Sequence, residues 1–192
     1  MSTNPKSHWD QRYRENARYD SFGRPRPFLM EQAAYLPFSG LALDIAMGLG
    51  GNAEFLLARG LRVIGVDISG VALRKAKARL PQLWAVQANL NAFYFPTQHF
   101  DALLNFFYLE RSLWPDYERT LKPGGVLILE TLTIGMQELR PDIDERYLLQ
   151  PGELAAAFPH LETLVYEEGW TTGRRNHPRA TARLIARKPQ RA

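Results

Sequence analysis

The chain has 192 residues, 45% hydrophobic and 23% charged, with a net charge of +4 and no cysteine. That length fits one domain with a full core. The lack of cysteine excludes disulfides, thiolate metal sites and thiol catalysis, including the covalent-cysteine route to cytosine-C5 methylation.

No stretch approaches the roughly 20 apolar residues of a membrane span, and Met1 to Asp10 carry no apolar signal core, which predicts a cytoplasmic protein. Residues 1–40 read as an N-terminal helical arm. Trp9-Asp-Gln-Arg12-Tyr13 is a short helical patch that Pro25 and Pro27 interrupt, and a second helix over about 28–36 leads into the core. Trp9 and Tyr13 would pin this arm down, or let it close over a site as a lid. Arg12 is a candidate anion-binding residue.

Residues 41–192 read as one domain, opening with the stretch on which the rest depends. Leu41-Ala-Leu-Asp-Ile suits a buried parallel strand. It runs into a glycine turn and then a helix with Ala53, Leu56 and Leu57 on one face. Gly48, Gly50 and Gly51 allow sharp turns and leave no Cβ between backbone and ligand, while the N–H groups of the next helix point outward. A second strand, Arg62-Val-Ile-Gly-Val-Asp67, ends on an acid placed to accept hydrogen bonds from a ribose. Gly48-Leu-Gly50-Gly-Asn-Ala53 also fits the dinucleotide fingerprint. Asp44 weighs the other way: a carboxylate beside the loop suits a cationic cofactor bearing an amino group and repels a pyrophosphate.

Strand and helix then alternate, as in a parallel α/β sheet. A helix over 69–80 is capped by Ser69 and ended by Pro81; its Arg74, Lys75, Lys77 and Arg79 read as a solvated face. The third strand, Leu83 to Gln87, leads to Asn89 and Leu90. Asn89 offers a donor and an acceptor to a purine edge, or caps its own loop. The fourth strand, from His99, exits through Asn105, Phe106, Phe107 and Tyr108, at the end of the sheet where ligands react. Aromatic faces there attract a sulfonium.

A helix over about 112–121 precedes Leu121-Lys-Pro-Gly-Gly-Val-Leu-Ile-Leu-Glu. Together with Asp44 to Gly50, Asp67 and Asn89, this turn resembles class I S-adenosylmethionine (SAM) methyltransferases and not dehydrogenase domains. Their motif D/E-x-G-x-G-x-G reads here as Asp44-Ile-Ala46-Met-Gly48-Leu-Gly50, with Ala46 in place of the first glycine. The resemblance implies an α/β, single-domain, Rossmann-like fold with a seven-stranded, mostly parallel sheet, an antiparallel last strand and helices on both faces. It implies SAM as cofactor, held by Asp44, Ala46, Gly48 and Gly50 at the methionine part and by Asp67 and Ile68 at the ribose. Asn89 and Leu90 would hold the adenine, and Asn105 belongs to the same set. No metal is implied.

Toward the C-terminus a helix over about 152–158 and strands over 161–168 and 180–188 close the sheet. Tyr147-Leu-Leu-Gln-Pro-Gly-Glu-Leu, the Ala-Arg-Leu-Ile-Ala-Arg-Lys ending and the Trp9 to Tyr13 start are similar to the tellurite-resistance and thiopurine-type methyltransferases. By that resemblance His177 and Arg179 lie near the acceptor, Arg179 to fix a carboxylate or oxyanion and His177 to take a proton. A solvated hairpin turn is the alternative for both.

The expected partner is therefore a small-molecule acceptor, anionic or chalcogen-containing, and the protein a monomer or homodimer without membrane contact. A nucleic-acid substrate is disfavoured. Asn105-Phe-Phe-Tyr108 lacks the prolines of amino-methylating DNA enzymes, although seven Arg/Lys and no acid occur from Trp170 to Ala192. Three rivals stay open: an RNA or DNA methyltransferase, a non-catalytic SAM-binding protein weakened by Ala46, and a small NAD-binding oxidoreductase.

Overall fold

The computed structural model describes residues 4–15, 23–172 and 177–190. Its strands are β1 (Leu41–Ile45), β2 (Arg62–Asp67), β3 (Trp84–Gln87), β4 (Phe100–Phe106), β5 (Leu121–Leu132), β6 (Glu162–Thr172) and β7 (Pro178–Arg187). They form one seven-stranded sheet in the order β3-β2-β1-β4-β5-β7-β6. By contacts the chain divides into two units, the first drawn from Met1–Tyr94 and Phe100–Leu104, the second from Phe95–His99 and Asn105–Ala192.

In the first unit β1 pairs in parallel with β2, and β2 with β3. Every residue of β1 is buried, Asp44 included, as in a strand covered on both faces. The chain steps outward from β1 to β3 and returns beyond β1 to β4. A reversal of that kind opens a crevice at the carboxyl ends of the strands.

Its α-helices among the described residues are α1 (Pro5–Glu15), α2 (Pro27–Glu31), α3 (Gly51–Ala58) and α4 (Gly70–Arg79). The expected helix over 28–36 breaks at Gln32. The Gln32 N–H closes an α turn on the Phe28 carbonyl, but the Tyr35 N–H closes a tighter turn on Gln32, both at 3.1 Å, so Ala33–Tyr35 is 3₁₀.

Ser69 caps α4 as its sequence predicts, accepting from the Ala72 N–H at 3.1 Å. The basic face of α4 is exposed, as expected, and three of its cations also bind carbonyls. Lys75 donates to Tyr13 O at 2.7 Å, Lys77 to Pro81 O and Leu83 O, and Arg79 to Leu49 O. These bonds anchor α4 to its neighbours.

The arm helix α1 packs on α4. Asp10 accepts from the Ser69 hydroxyl at 2.7 Å and from the Val71 N–H at 3.1 Å. A carboxylate at a helix N-terminus is favoured by the dipole and by the open N–H groups. Burial alone would raise the Asp10 pKa, but the Ser69 and Val71 bonds outweigh it and hold it down at about 2. Trp9 stacks on Tyr13 with ring centroids 5.8 Å apart, and Tyr13 is buried against Leu49, Val71 and Ala72.

In the second unit β7 runs antiparallel to both β5 and β6. The Lys122-Pro-Gly-Gly turn is pinned at the end of β7, where the Gly124 N–H donates to Lys188 O at 2.8 Å and the Lys188 N–H to Gly125 O at 2.9 Å. The nearly buried Glu130 accepts from Arg183 at 3.1 Å. Helices α5 (Trp114–Thr120) and α6 (Glu153–Ala156) are shorter than their sequence predicts. Glu153 pairs with Arg111 and accepts from the Gln150 N–H at 2.8 Å, which fixes the first turn of α6; the helix ends ahead of Phe158-Pro159, where the proline disfavours helical backbone at the residue before it. Among the described residues no helix is long and apolar enough to cross a membrane.

Candidate cofactor and active site

The loop between β1 and α3 departs from ordinary backbone at three points. Ala46, Gly48 and Gly50 have φ of 50°, 56° and 73°, the left-handed region that an L-residue enters at a cost of about 1–2 kcal/mol. The Met47 N–H donates to Val66 O at 3.1 Å and the Gly50 N–H to Met47 O at 3.0 Å, so the loop folds back on β2 before α3 starts. Gly48 has a second reason to be glycine. A Cβ there would lie 2.5 Å from the Tyr13 hydroxyl, which places the arm directly over the loop.

Ala46 stands where the motif has its first glycine, and the backbone there already has the conformation a glycine would take. Ala46→Gly is expected to stabilise the fold by up to about 1 kcal/mol, left-handed strain being relieved against the greater chain entropy of glycine. Thermal melting reads this. Affinity for S-adenosylhomocysteine should stay within about twofold, since the loop geometry is unchanged; a tenfold gain would show the alanine methyl intruding on the ligand.

Asp67, at the end of β2, accepts from the Gly48 N–H through Oδ2 and from the Ser69 N–H through Oδ1, each at 2.8 Å. Burial raises its pKa, against the Ser69, Gly48 and Ile68 N–H groups that lower it. Each oxygen retains a lone pair for a further donor. The Ile68 carbonyl accepts from Gln87 at 3.1 Å.

Asp44 is 1% exposed. The Ala53 N–H, in the first turn of α3, hydrogen-bonds its carboxylate, yet Oδ2 is buried without any partner. Its pKa is pushed up to about 8, by burial first and by the Asp67 charge second, with the Ala53 N–H and the Arg26 charge opposing. A buried carboxylate oxygen with no donor is costly. An ammonium group would complete it, which is what the methionine part of SAM offers.

The loop after β3 is joined to the same place by the Ala88 N–H, which donates to Asp67 O at 3.1 Å. Asn89 is exposed, and its Oδ1 accepts from the Asn91 N–H at 3.2 Å. The local cap therefore occupies that oxygen and leaves the amide as a donor. Leu90 is buried.

The structure thus gathers Asp44, Ala46, Gly48, Gly50, Asp67 and Ile68, with Asn89 and Leu90 beside them, in the first unit. Arg12 is in that unit too, exposed on α1 with its guanidinium 5.4 Å from the Trp9 ring centroid.

Asn105, His177 and Arg179 belong to the second unit. Asn105 is buried; its amide donates to the Tyr117 hydroxyl at 3.1 Å, and its Oδ1 has no partner. Phe107 has a φ of 60°, an uncommon conformation for a bulky residue and one that clusters at functional sites. The Arg179 guanidinium lies 5.1 Å from its ring centroid, a cation–π arrangement that orders the planar group. His177 is exposed just before β7. Tyr108 is pushed up to about 12 by burial and by Glu110, so it is a neutral donor at working pH.

Several contacts around the site escaped the sequence. Asp10 meets the start of α4 at Ser69 and Val71, and Arg26 donates its N–H to Asn52 Oδ1, in the first turn of α3, at 2.9 Å. The one available signal was an arginine locked between Pro25 and Pro27, read only as a helix break.

The strand order, the crossover at β1 and the loop together define the Rossmann-like class I methyltransferase fold. The sequence agrees: residues 42–125 match the family model described as a methyltransferase domain. Over 106 residues, 50% of the chain, it is 35% identical to the trans-aconitate 2-methyltransferase of Azoarcus sp. (strain BH72). It spans 42% of that curated relative's length.

Among solved structures, one described as the conversion of a disulfide bond into a thioacetal group during echinomycin biosynthesis superposes with a TM-score of 0.75 at 18% identity, covering 98% of this chain and 93% of the other. A SAM-dependent methyltransferase from Methanosarcina mazei gives 0.70 at 18% identity, covering 88% of this chain and all of the other. These two likenesses show the fold. Residues 42–125 accordingly resemble a methyltransferase domain.

Proposed function

We propose that the chain is a SAM-dependent methyltransferase acting on a small carboxylate-bearing acceptor. The observation that carries this reading is Asp44, a buried carboxylate with an unpartnered Oδ2 beside a left-handed glycine loop. That site complements a ligand bearing an ammonium and leaves no room for a pyrophosphate's charge. Asp44 would hold the amino group, the backbone of Ala46 to Gly50 the methionine part, Asp67 the ribose hydroxyls, and Asn89 with Leu90 the adenine.

The cofactor supplies an electrophilic methyl group on a sulfonium. The protein's part is to align acceptor and sulfonium and to exclude water, which is worth several kcal/mol. Arg179, steadied on Phe107, is assigned the acceptor's carboxylate, and His177 a proton if the acceptor carries one; Arg12 is a further anion contact. A carboxylate oxygen is already a nucleophile near neutral pH and requires no base.

The relative at 35% identity is a trans-aconitate 2-methyltransferase, which supports an anionic acceptor. The Tyr147 to Leu154 motif supports a finer placing among the small tellurite-resistance and thiopurine-type enzymes. A cytoplasmic location and a monomeric or homodimeric state belong to the same proposal.

The test is calorimetric titration with S-adenosylhomocysteine, with NADH as the comparison, followed by incubation with SAM and trans-aconitate. Micromolar binding of the homocysteine ligand alone and a monomethyl ester by mass spectrometry are the expected results. Binding of NADH alone would overturn the cofactor reading; binding without turnover of any small acid would favour a non-catalytic role.

A further inference from the structure

We propose that the outer edge of the sheet at β3 is a self-association surface, on which β3 of one copy pairs antiparallel with β3 of a second about a two-fold axis at Ala85. The inference goes beyond the methyltransferase reading and does not depend on it.

Exposure comes first. β3 ends the sheet, and among the described residues it pairs with β2 alone. Gln87 shows which face of β3 is covered. Its side chain lies 3.0 Å from where a Cβ on Gly70 would stand, at the start of α4, and it donates to Ile68 O. Side chains alternate along a strand, so Trp84 and Val86 point to the opposite face. The connection from β3 to β4 holds one 3₁₀ turn, Leu90–Ala92, and no α-helix to cover them. Trp84 is 48% exposed and Val86 37%. An indole and a valine bared side by side on an edge strand invite another strand.

Charge says what that strand is. From Leu80 to Phe100 there is no Asp, Glu, Lys or Arg, in a chain that is 23% charged overall. Depletion of charge among aromatic residues marks an interface core. In an isologous contact each residue near the axis meets its own copy, so a neutral strand matches itself, whereas a charged partner finds no counter-charge on it. Arg62, whose guanidinium lies 5.9 Å from the Trp84 ring centroid, belongs to β2, one strand in. β6, at the other end of the sheet, is built the opposite way. It carries Glu162, Glu167 and Glu168 and a register irregularity between Thr163 and Val165, the devices that keep an edge from pairing.

The backbone fixes the register. The Ala88 N–H donates to Asp67 O at 3.1 Å, so Ala88 and, by alternation, Val86 and Trp84 turn their N–H and C=O groups to β2. Ala85 and Gln87 turn theirs outward. An antiparallel pair centred on Ala85 bonds that residue to its own copy through both groups. It also sets Trp84 of each copy opposite Val86 of the other, two aromatic–β-branched pairs on one face. The ladder stops at Leu83, whose N–H is held by Leu80 O at 3.0 Å, so side-chain burial carries the association.

Sedimentation velocity on the full chain over a range of concentrations should show a reversible dimer of twice 21.9 kDa. Trp84→Lys and Val86→Lys should each weaken it at least about 30-fold, since each removes two contacts of the central cluster; melting temperature checks that both variants fold. Trp170→Lys is the control: Trp170 is 49% exposed on β6, and its loss should leave the dimer intact. The chain has no cysteine, so a single introduced thiol reports on the axis. Oxidised Ala85→Cys should give a covalent dimer, the paired Cα atoms being about 5.5 Å apart. Gln87→Cys, at least about 13 Å from its copy, should not.

A dimer lost in folded Trp84→Lys and Val86→Lys and trapped by Ala85→Cys supports the proposal. Three results overturn it. One is a monomer at every concentration, which would leave the edge to a different protein. Another is a dimer that Trp84→Lys and Val86→Lys spare or that Trp170→Lys dissolves. The third is a dimer that Ala85→Cys does not cross-link or that Gln87→Cys does, which would mean a different geometry.

Discussion

Asp44→Asn is expected to raise the melting temperature of the ligand-free protein and to cost it the cofactor. The stability effect follows from the sign of the pKa shift. Asp44 titrates at about 8 in the fold and near 3.9 in an unfolded chain. Below pH ~4 it is protonated in both states and carries no penalty. As pH rises from there to about 8, the unfolded chain releases its proton and the folded one retains it, so stability falls continuously. Above about 8 the loss is complete.

Asparagine has no charge to bury at any pH, and its oxygen can keep the bond from the Ala53 N–H. The gain should therefore be largest at pH 8, about 2–5 kcal/mol, and should shrink to roughly 1 kcal/mol at pH 5. Melting curves at the two pH values separate the charge from any packing effect; equal gains at both would show that charge is not the cause.

Binding moves in the other direction. A neutral amide offers an ammonium only a weak dipole in place of a buried charge, and removal of one partner of such a pair typically costs 2–5 kcal/mol. Affinity for S-adenosylhomocysteine should drop about 100-fold or more, as calorimetry would show. In the unaltered protein, by contrast, affinity should rise as pH approaches 8, because binding requires Asp44 ionised. Near neutrality a proton should be released, which titration in buffers of different ionisation enthalpy would count. An Asp44 that stabilised the free protein and left binding indifferent would be a core acid only. Retaining a residue that weakens the empty protein is the usual mark of function.

The frame around Asp44 was legible in sequence because each of its signals is local. A pentapeptide apolar but for Asp44, with no alternation, meant a strand buried on both faces, and Leu41–Ile45 is buried throughout. Ser69 before a helical run meant a cap, and its hydroxyl meets the Ala72 N–H. Lys-Pro-Gly-Gly meant a turn into a strand, and β5 includes it.

What escaped depends on partners far away in the chain. Lys6 and Asp10 look like a solvated pair four residues apart, and they do pair at 3.0 Å. Nothing local says that Asp10 also reaches Ser69, 59 residues on. Ala46 looked like a damaged motif, because sequence shows the missing glycine and not the left-handed backbone that alanine still adopts. Asn89 shows the limit from the other side: both readings of it were open, and its oxygen is engaged by Asn91 while its amide remains available. The basic row on α4 is exposed as its sequence suggests; the carbonyls that Lys75, Lys77 and Arg79 reach were not legible, because solvation and carbonyl binding leave the same pattern of exposed cations.

Gly51→Ala should destabilise the first unit although its backbone suits alanine. Gly51 is the first residue of α3 and its φ is not positive, so alanine suits the backbone there and would ordinarily favour the helix by up to about 1 kcal/mol. The added carbon, however, would meet the main chain of Arg24, with Arg24 N at 2.7 Å and its carbonyl nearer still. A side chain could rotate away; a backbone held by Pro25 and by the Arg26 bond to Asn52 cannot. The segment must lift from α3 as a unit, a strain of about 1–3 kcal/mol that exceeds the helix gain.

The measurable consequence is a pair of changes. Melting temperature should fall by several degrees, at roughly 2–4 °C per kcal/mol for a chain of this size. Affinity for S-adenosylhomocysteine should fall with it, even though every charged group is intact. Gly60 is the control: its added Cβ would touch only Phe38 O, at 3.3 Å, although its positive φ predicts a modest loss of stability. If Gly60→Ala lowers the melting point and spares binding while Gly51→Ala lowers both, the first turn of α3 and the segment clamped on it act together as one wall of the cofactor site. If Gly51→Ala spares binding too, that segment is only packing, and the wall is the glycine loop with Asp44.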